Sequence, residues 1–187
     1  MYNVEYIDEI HTYLINGVIV PSVSQLLHEK VFPDKYKNVP EKILKAKAEY
    51  GTEVHSIVEK LENNEEYNFT SVYIEESIKQ YLMLKEKYNL KVKEQEKIVN
   101  YKDLYAGRFD MIAKINGELC LCDIKTTSEL DLEYLSWQLS MYELAYGKKF
   151  DKLIAIWLPK KGLGKIVEIE RIEKEKILEM IGEKEKC

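Results

Sequence analysis

Cysteine is scarce in this chain, with three in 187 residues, and their placement excludes two architectures. Cys120 and Cys122 lie two apart in an apolar, strand-like run, and Cys187 is the last residue. A disulfide framework needs an even, spaced set, and a zinc site needs partners at recognisable spacing. Neither pattern is present. Cys120 and Cys122 are therefore expected to share one strand face as buried, inert thiols. Long apolar runs are also lacking: none approaches the roughly 20 residues of a membrane helix. The first residues, Met1-Tyr2-Asn3-Val4-Glu5, are acidic and alternating, unlike a secretory signal or an Arg-rich transit peptide. A cytoplasmic protein with no membrane partner is the expectation. Internal repeats, low-complexity tracts and inter-domain linkers are missing as well, which leaves one domain over residues 1–187.

Positive charge is in deficit overall, with a net charge of -5, and phosphate binding rewards a basic surface. Its distribution is uneven, however. Lys148, Lys149, Lys152, Lys160, Lys161 and Lys165 fall in a window holding one acid, Asp151. A second stretch runs through Lys35, Lys37, Lys42, Lys45 and Lys47, with Asp34 and Glu41 interspersed. Such runs fit a solvated lysine face and equally a basic groove on an acidic protein. Charge alone does not choose between them.

Periodicity gives the order of elements. Val4–Asp8, Thr12–Ile15 and Val18–Val20 are short strand candidates, the last two joined by the hairpin signal Asn16-Gly17. Ser22 caps a short helix reaching Glu29, and residues 31–39 form a loop. Pro40 suits the first turn of a long helix to Glu62, interrupted by Gly51, a residue that allows close packing or the approach of a ligand. A second helix covers Ser71 to Tyr88. Beyond Asn89 the period falls to two. Residues 91–100, 106–115 and 119–125 read as strands, the last pair turning at Asn116-Gly117. A helix over Leu132–Tyr146 ends at Gly147. Leu153–Leu158 is an apolar strand of the kind buried on both faces. Ile166–Ile169 follows as another strand, and a charged helix closes the chain. The expected fold is α/β, with a mixed central sheet flanked by helices and an N-terminal β-hairpin. Residues 1–39 carry the hairpin and short helix, 40–158 the core, and 159–187 the final strand and helix.

Leu119-Cys120-Leu121-Cys122-Asp123-Ile124-Lys125 carries the chemistry. Alternation puts Asp123 and Lys125 on the same face where the strand ends. Among 33 acidic residues, Asp123 is the only one standing two before a lysine. The preceding strand carries Gly107-Arg108-Phe109-Asp110. Folding about Asn116-Gly117 puts Asp110 opposite Asp123, since both pairs of numbers have the same sum. Neighbouring carboxylates repel unless a cation separates them, and hard oxygen ligands suit Mg²⁺. A lysine beside that cation stabilises charge building up on a phosphorus centre. Taken alone, the pair also fits a surface salt bridge on an exposed hairpin.

Four segments in order change that balance: Gly51-Thr52-Glu53-Val54-His55, Gly107-Arg108-Phe109-Asp110, Asp123-Ile124-Lys125-Thr126-Thr127 and Gln138-Leu139-Ser140-Met141-Tyr142. Together with His11-Thr12-Tyr13, Asn16-Gly17 and Pro21-Ser22-Val23 ahead of them, they resemble the RecB-like, phage-type exonuclease branch of the PD-(D/E)XK nuclease superfamily, over residues 11 to 158. The resemblance implies a restriction-endonuclease-like core and Mg²⁺- or Mn²⁺-dependent hydrolysis of DNA, most simply from its ends. The implied setting is phage or prophage recombination, repair or replication in a bacterial host cell. It makes His55, Asp110, Asp123 and the Ile124 carbonyl metal ligands and Lys125 the catalytic lysine. Gln138 and Tyr142, four apart on one helix face, would stand near the centre, although ordinary helix packing is the alternative for both and above all for Tyr142. Glu94 or Glu96 would add an acid, and the sequence does not separate them. Arg108, Lys148, Lys149, Lys160 and Lys161 are the expected DNA contacts, although a salt bridge accounts for Arg108 no less well. A recombinase or a single-strand-binding protein is an implied partner, and an oligomer is compatible with the resemblance.

Some members of that branch hold an iron-sulfur cluster on four cysteines. With three cysteines, two of them inside a strand, this chain is expected to hold none. It also lacks the G-x-x-x-x-G-K-[ST] signature of a motor. Two further readings remain open at this level: an endonuclease of the same fold, and a DNA-binding module without catalysis. The lack of a separate sequence-reading domain favours the exonuclease, and the intact Asp110, Asp123 and Lys125 set disfavours the module.

Overall fold

The change of period at Asn89 marks the start of the main sheet in the computed structural model, which describes residues 2–183. Its strands are β4 (Lys91–Tyr101), β5 (Tyr105–Ile115), β6 (Glu118–Lys125), β7 (Lys152–Trp157) and β8 (Lys165–Ile169). They lie side by side in chain order. Neighbours run antiparallel except β6 and β7. That parallel step requires a crossover, which helix α4 (Leu132–Tyr146) supplies. The tight turn between β5 and β6 uses positive φ at Asn116 and Gly117, as a two-residue hairpin loop demands.

Helices cover both faces. On one side α2 (Glu41–Glu62) and α3 (Val72–Lys87) pack Val54, Val58, Ile78 and Tyr81 against Met111, Cys122 and Ile154. On the other, α1 (Val23–Lys30), α4 and α5 (Lys174–Ile181) pack Leu27, Leu139 and Ile177 against Phe109, Leu121 and Leu153. β6 and β7 feed alternate residues into both layers, which explains their almost unbroken apolar sequence. Cys120 and Cys122 are free and buried on the α2/α3 side. Cys187 lies outside the described residues.

Ahead of the core, β1 (Val4–Ile7), β2 (Thr12–Ile15) and β3 (Val18–Val20) form a separate antiparallel sheet of three strands. The expected N-terminal hairpin is thus the β2–β3 part of a larger unit. The sheet is stitched to the main one where Ala106 N–H donates to the Pro21 carbonyl at 3.2 Å, and Tyr13, Ile15 and Val20 close over Ala106. Ser22 then starts α1 with a reciprocal cap, accepting from the Gln25 amide at 3.1 Å while its own amide donates to the Gln25 side chain at 2.7 Å. Among the described residues, no helix is long and apolar enough to cross a membrane.

Most expected boundaries hold within two residues. β4 runs on to Tyr101, and β7 begins at Lys152 and ends at Trp157. The stretch after β1 is a single 3-10 turn, Asp8–Ile10, ended by His11 in the left-handed region.

Candidate active site

The β5–β6 ladder pairs Ile115 with Glu118 and continues to Met111 with Cys122. There it stops, one step short of Asp110 and Asp123. Beyond that point β5 stays with β4, β6 stays with β7, and a fork opens between them. The orphaned Ile124 amide donates to Asp110 Oδ2 at 2.6 Å, so a carboxylate occupies the place of a main-chain acceptor. Asp110 is held at the mouth of the fork by this bond.

α2 supplies the next group. His55 Nδ1 lies 3.3 Å from Asp110 Oδ1, and its Nε2 lies 3.0 Å from the Ile124 carbonyl. A carbonyl only accepts, so Nε2 donates; with a carboxylate before Nδ1 as well, the ring carries both protons. Burial opposes that charge, but the Asp110 carboxylate prevails and the imidazole is pushed up to about 9. Reciprocally, burial would raise the Asp110 carboxyl, but His55, Lys125 and the Ile124 amide hold it below the ordinary carboxylate range. Gly51, one helical turn earlier, brings α2 close to the end of β6: a Cβ there would lie 3.4 Å from Thr126 Oγ1.

β4 supplies Glu96, in the left-handed region at φ 47, which is rare inside a strand and concentrates at functional sites. His55, Glu96 and Asp110 present ligand atoms that all lie within 4.8 Å of one another. Burial and the nearby Asp110 charge push Glu96 up to about 7. Of Glu94 and Glu96, it is Glu96 that lies beside His55 and Asp110. Glu94 points elsewhere, pairing with Lys97 and accepting from the Tyr146 hydroxyl at 3.1 Å.

Asp123, fully enclosed, does not join that trio. Its Oδ2 lies 2.6 Å from Lys125 Nζ, an ion pair without hydrogen-bond alignment. Burial, reinforced by Asp110, pushes Asp123 up to about 6 against the opposing pull of Lys125. Lys125 itself is raised, because Asp123 and Asp110 outweigh the burial that would lower it. Three carboxylates thus share a poorly hydrated fork with one imidazolium and one ammonium.

The donor set fits a divalent cation. Carboxylates and a carbonyl suit Mg²⁺ and Mn²⁺, and an imidazole tilts the choice toward Mn²⁺. The proton on His55 Nδ1 occupies the line to Asp110 that a shared cation would take. Relief of repulsion among Asp110, Glu96 and Asp123 favours the same exchange. The expected ligands therefore separate: His55, Asp110 and Glu96 converge, the Ile124 carbonyl touches His55, and Asp123 is held by Lys125.

α4 closes the far wall. A Cβ on Gly107 would stand 2.6 Å from Tyr142 Cε1 and 3.1 Å from Val23 Cγ2, so the ring of Tyr142 rests on the β5 backbone three residues before Asp110. Tyr142 is buried there, edge-on to Phe109; it packs the wall of the site. Gln138 is different. It lines, with Lys125, a cavity of about 500 Å³, and its shielded Oε1 has no partner among the described residues. An unpaired buried acceptor costs about 1–3 kcal/mol.

Arg108 leans over the fork from outside. Its Nε lies 2.9 Å from Glu96 Oε2, and its guanidinium sits 5.1 Å from the Tyr6 ring centroid. Tyr6 in turn contacts His11 Nδ1 through its hydroxyl at 2.7 Å. Nothing in the spacing of residues 1–20 announces that Tyr6 reaches the site.

The expected lysine contacts do not form one patch. Lys148 and Lys149 precede Phe150 at the end of the sheet where Asp151 N–H meets the Leu119 carbonyl. Lys160 and Lys161 follow Leu158, whose N–H meets the Lys125 carbonyl. The two pairs are separated by the length of β6, about 23 Å at 3.3 Å per residue. Lys160 and Lys161 stand at the end with the fork; Lys148 and Lys149 do not, which corrects their expected grouping.

No family model matches the chain, and no curated protein does. Among solved structures, the chain described as "Crystal structure of SSO0001" is similar at 20% sequence identity and a TM-score of 0.38, covering 86% of this chain and 83% of that one. Similarity of that degree carries no argument about the site.

Proposed function

We propose that the chain is a metal-dependent deoxyribonuclease of the PD-(D/E)XK type, acting most simply as an exonuclease with Mg²⁺ or Mn²⁺. The observation that carries the reading is the fork between β5 and β6. It gathers His55, Glu96 and Asp110 within 4.8 Å and sets the Lys125–Asp123 pair beside them. A surface salt bridge, the plain alternative for Asp123 and Lys125, does not account for a carboxylate this deeply enclosed.

His55, Glu96 and Asp110 would hold the cation, with the Ile124 carbonyl adjoining. Bound there, the cation would acidify a water and polarise the scissile phosphate. Lys125, kept protonated by Asp123 and Asp110, is placed to stabilise negative charge as it builds on phosphorus. Asp123 keeps that ammonium aimed into the cavity. The Gln138 side chain, which lines the same cavity, would hydrogen-bond an attacking water or a sugar hydroxyl and so orient it. Arg108 neutralises phosphate charge at the rim, and Tyr6 stacked on it limits its swing.

The test compares end-labelled linear DNA with covalently closed circular DNA, in Mg²⁺ or Mn²⁺, for wild type and Lys125→Ala. Loss of the linear substrate alone, reduced about 10²–10³-fold by the substitution, is the expected result. Cutting of the circle would make the chain an endonuclease. Retention of DNA with no cutting in either metal would leave a binding module, and cutting without metal would sink the mechanism.

A further inference from the structure

A second cavity, of about 540 Å³, opens where β6 ends, adjoining the one that holds Lys125 and Gln138. Lys47, Thr127 and Ser128 line both, so the two form one groove that passes over the catalytic lysine. The second cavity has an unusual make-up for a chain of net charge -5. Its rim carries Lys42, Lys47, Lys160 and Lys161, and no acid lines it. None of these four lysines is in an ion pair among the described residues. Its floor is apolar and aromatic, with Ile43 left 47% exposed and Tyr50 beside it. Lys160 Nζ lies 5.2 Å from the Tyr50 ring centroid and 4.1 Å from that of Tyr73.

We infer that this cavity is a subsite for an unpaired nucleotide of the DNA strand, so that the groove accepts single-stranded rather than duplex DNA. The inference rests on the nuclease reading above and names its substrate. Charge complementarity to phosphate accounts for the lysine rim. The floor makes the distinction between strands. In a duplex, base faces are stacked on one another and have nothing to offer Ile43 or Tyr50. A free base presents its flat face, and aromatic platforms interleaved with cations hold such bases without regard to sequence. The volume falls within the range of about 300–1,000 Å³ typical of small-ligand sites. The nucleotide next to the scissile phosphate would lie here, and the reacting phosphate over Lys125.

Fluorescence anisotropy with a labelled single strand and with its blunt duplex tests this, using the Lys125→Ala chain so that turnover does not blur binding. Variants Ile43→Ser and Lys160→Gln/Lys161→Gln are added on that background, with thermal midpoints recorded as a folding check. The single strand should bind at least tenfold more tightly than the duplex. Ile43→Ser, which alters no charge, should weaken single-strand binding about fivefold and leave duplex binding within twofold. The lysine pair should lower the log–log salt slope by about 1.4, because each phosphate neutralised on a single strand adds about 0.7. Equal affinity for both DNA forms, or no effect of Ile43→Ser, would reduce the cavity to a basic patch and overturn the inference. Competition by deoxyadenosine monophosphate as strong as by the strand would also overturn it, in favour of a free-nucleotide site. If wild type cuts no DNA yet the strand preference and the weakening by Ile43→Ser hold, the subsite stands and the nuclease reading fails. If wild type cuts DNA but Ile43→Ser changes nothing, the nuclease reading stands and the subsite falls.

Discussion

Gly107→Ala adds one methyl at the tightest point of the site's wall. That carbon would stand 2.6 Å from Tyr142 Cε1 and 3.1 Å from Val23 Cγ2, where carbons settle at about 3.5–4.0 Å. Either the ring or β5 must therefore retreat by about 1 Å. Tyr142 and Val23 are both buried, so neither can swing into solvent. Overpacking of this kind costs about 1–3 kcal/mol. At about 2–4 °C per kcal/mol for a chain of this size, the thermal midpoint should fall measurably. Activity should suffer more than stability, because Asp110 lies three residues along the displaced strand and misplacement by about 1 Å costs up to 10²-fold. Chemical denaturation of Gly107→Ala, Tyr142→Ala and the double variant forms the cycle that checks the cause. Tyr142→Ala alone should cost about 3–5 kcal/mol through its cavity. The double variant should be less unstable than the sum by at least about 1 kcal/mol, since the new methyl occupies space the ring has left. A Gly107→Ala chain within about 0.5 kcal/mol of wild type, or strict additivity, would refute the packing argument.

A divalent cation, if the proposed site at His55, Glu96 and Asp110 holds one, would stabilise the fold by mass action, about 2.7 kcal/mol at a hundredfold excess over its dissociation constant. Mn²⁺ should therefore raise the midpoint of wild type by about 5–10 °C at that excess. Differential scanning fluorimetry should show little of that rise in Asp110→Asn. His28 has its pKa lowered by burial and by Lys35, so the unfolded chain takes up its proton first as pH falls. Its share of stability is complete above about 6.5 and is lost as pH drops from there through the folded value. Urea midpoints between pH 7 and 5 should accordingly fall less steeply for His28→Gln than for wild type. Arg171 meets Glu143 through Nε at 2.9 Å and Nη2 at 3.1 Å, and its Nη2 also donates to the Phe150 carbonyl at 2.6 Å. Arg171→Ala should cost about 2 kcal/mol by denaturation. Arg171→Lys should recover less than half, because an ammonium cannot reproduce the fork.

Much of the fold was legible because its signals are local. The shift in period at Asn89, the Asn116-Gly117 turn and the apolar run of β7 are each set within a few residues. Together they imply antiparallel β5 and β6 and a buried parallel neighbour. The N-terminal sheet was partly legible: its three strands could be read, but its seat on Ala106 depends on contacts between residues about 90 apart in sequence. Lys148, Lys149, Lys160 and Lys161 fell into one window for a related reason. Charge spacing along the chain carries no information about β7, which runs between the two pairs and delivers them to opposite ends of the sheet.

The site divides along the same line. Turn arithmetic places Asp110 level with Asp123, and the observed register keeps that sum through Met111 and Cys122. What it cannot supply is that the ladder stops there. Two fully paired strands would set Asp110 and Asp123 side by side as equals; strands that part give them different partners. Asp110 takes the Ile124 amide and His55, while Asp123 takes Lys125. The parting also explains Glu96. Alternation treats Glu94 and Glu96 alike, since they are two apart on one strand. Only a left-handed residue at 96, opposite the point where β5 leaves β6, turns one of them into the gap. The geometry of this cluster therefore depends less on which acids the chain carries than on where one strand pair ends.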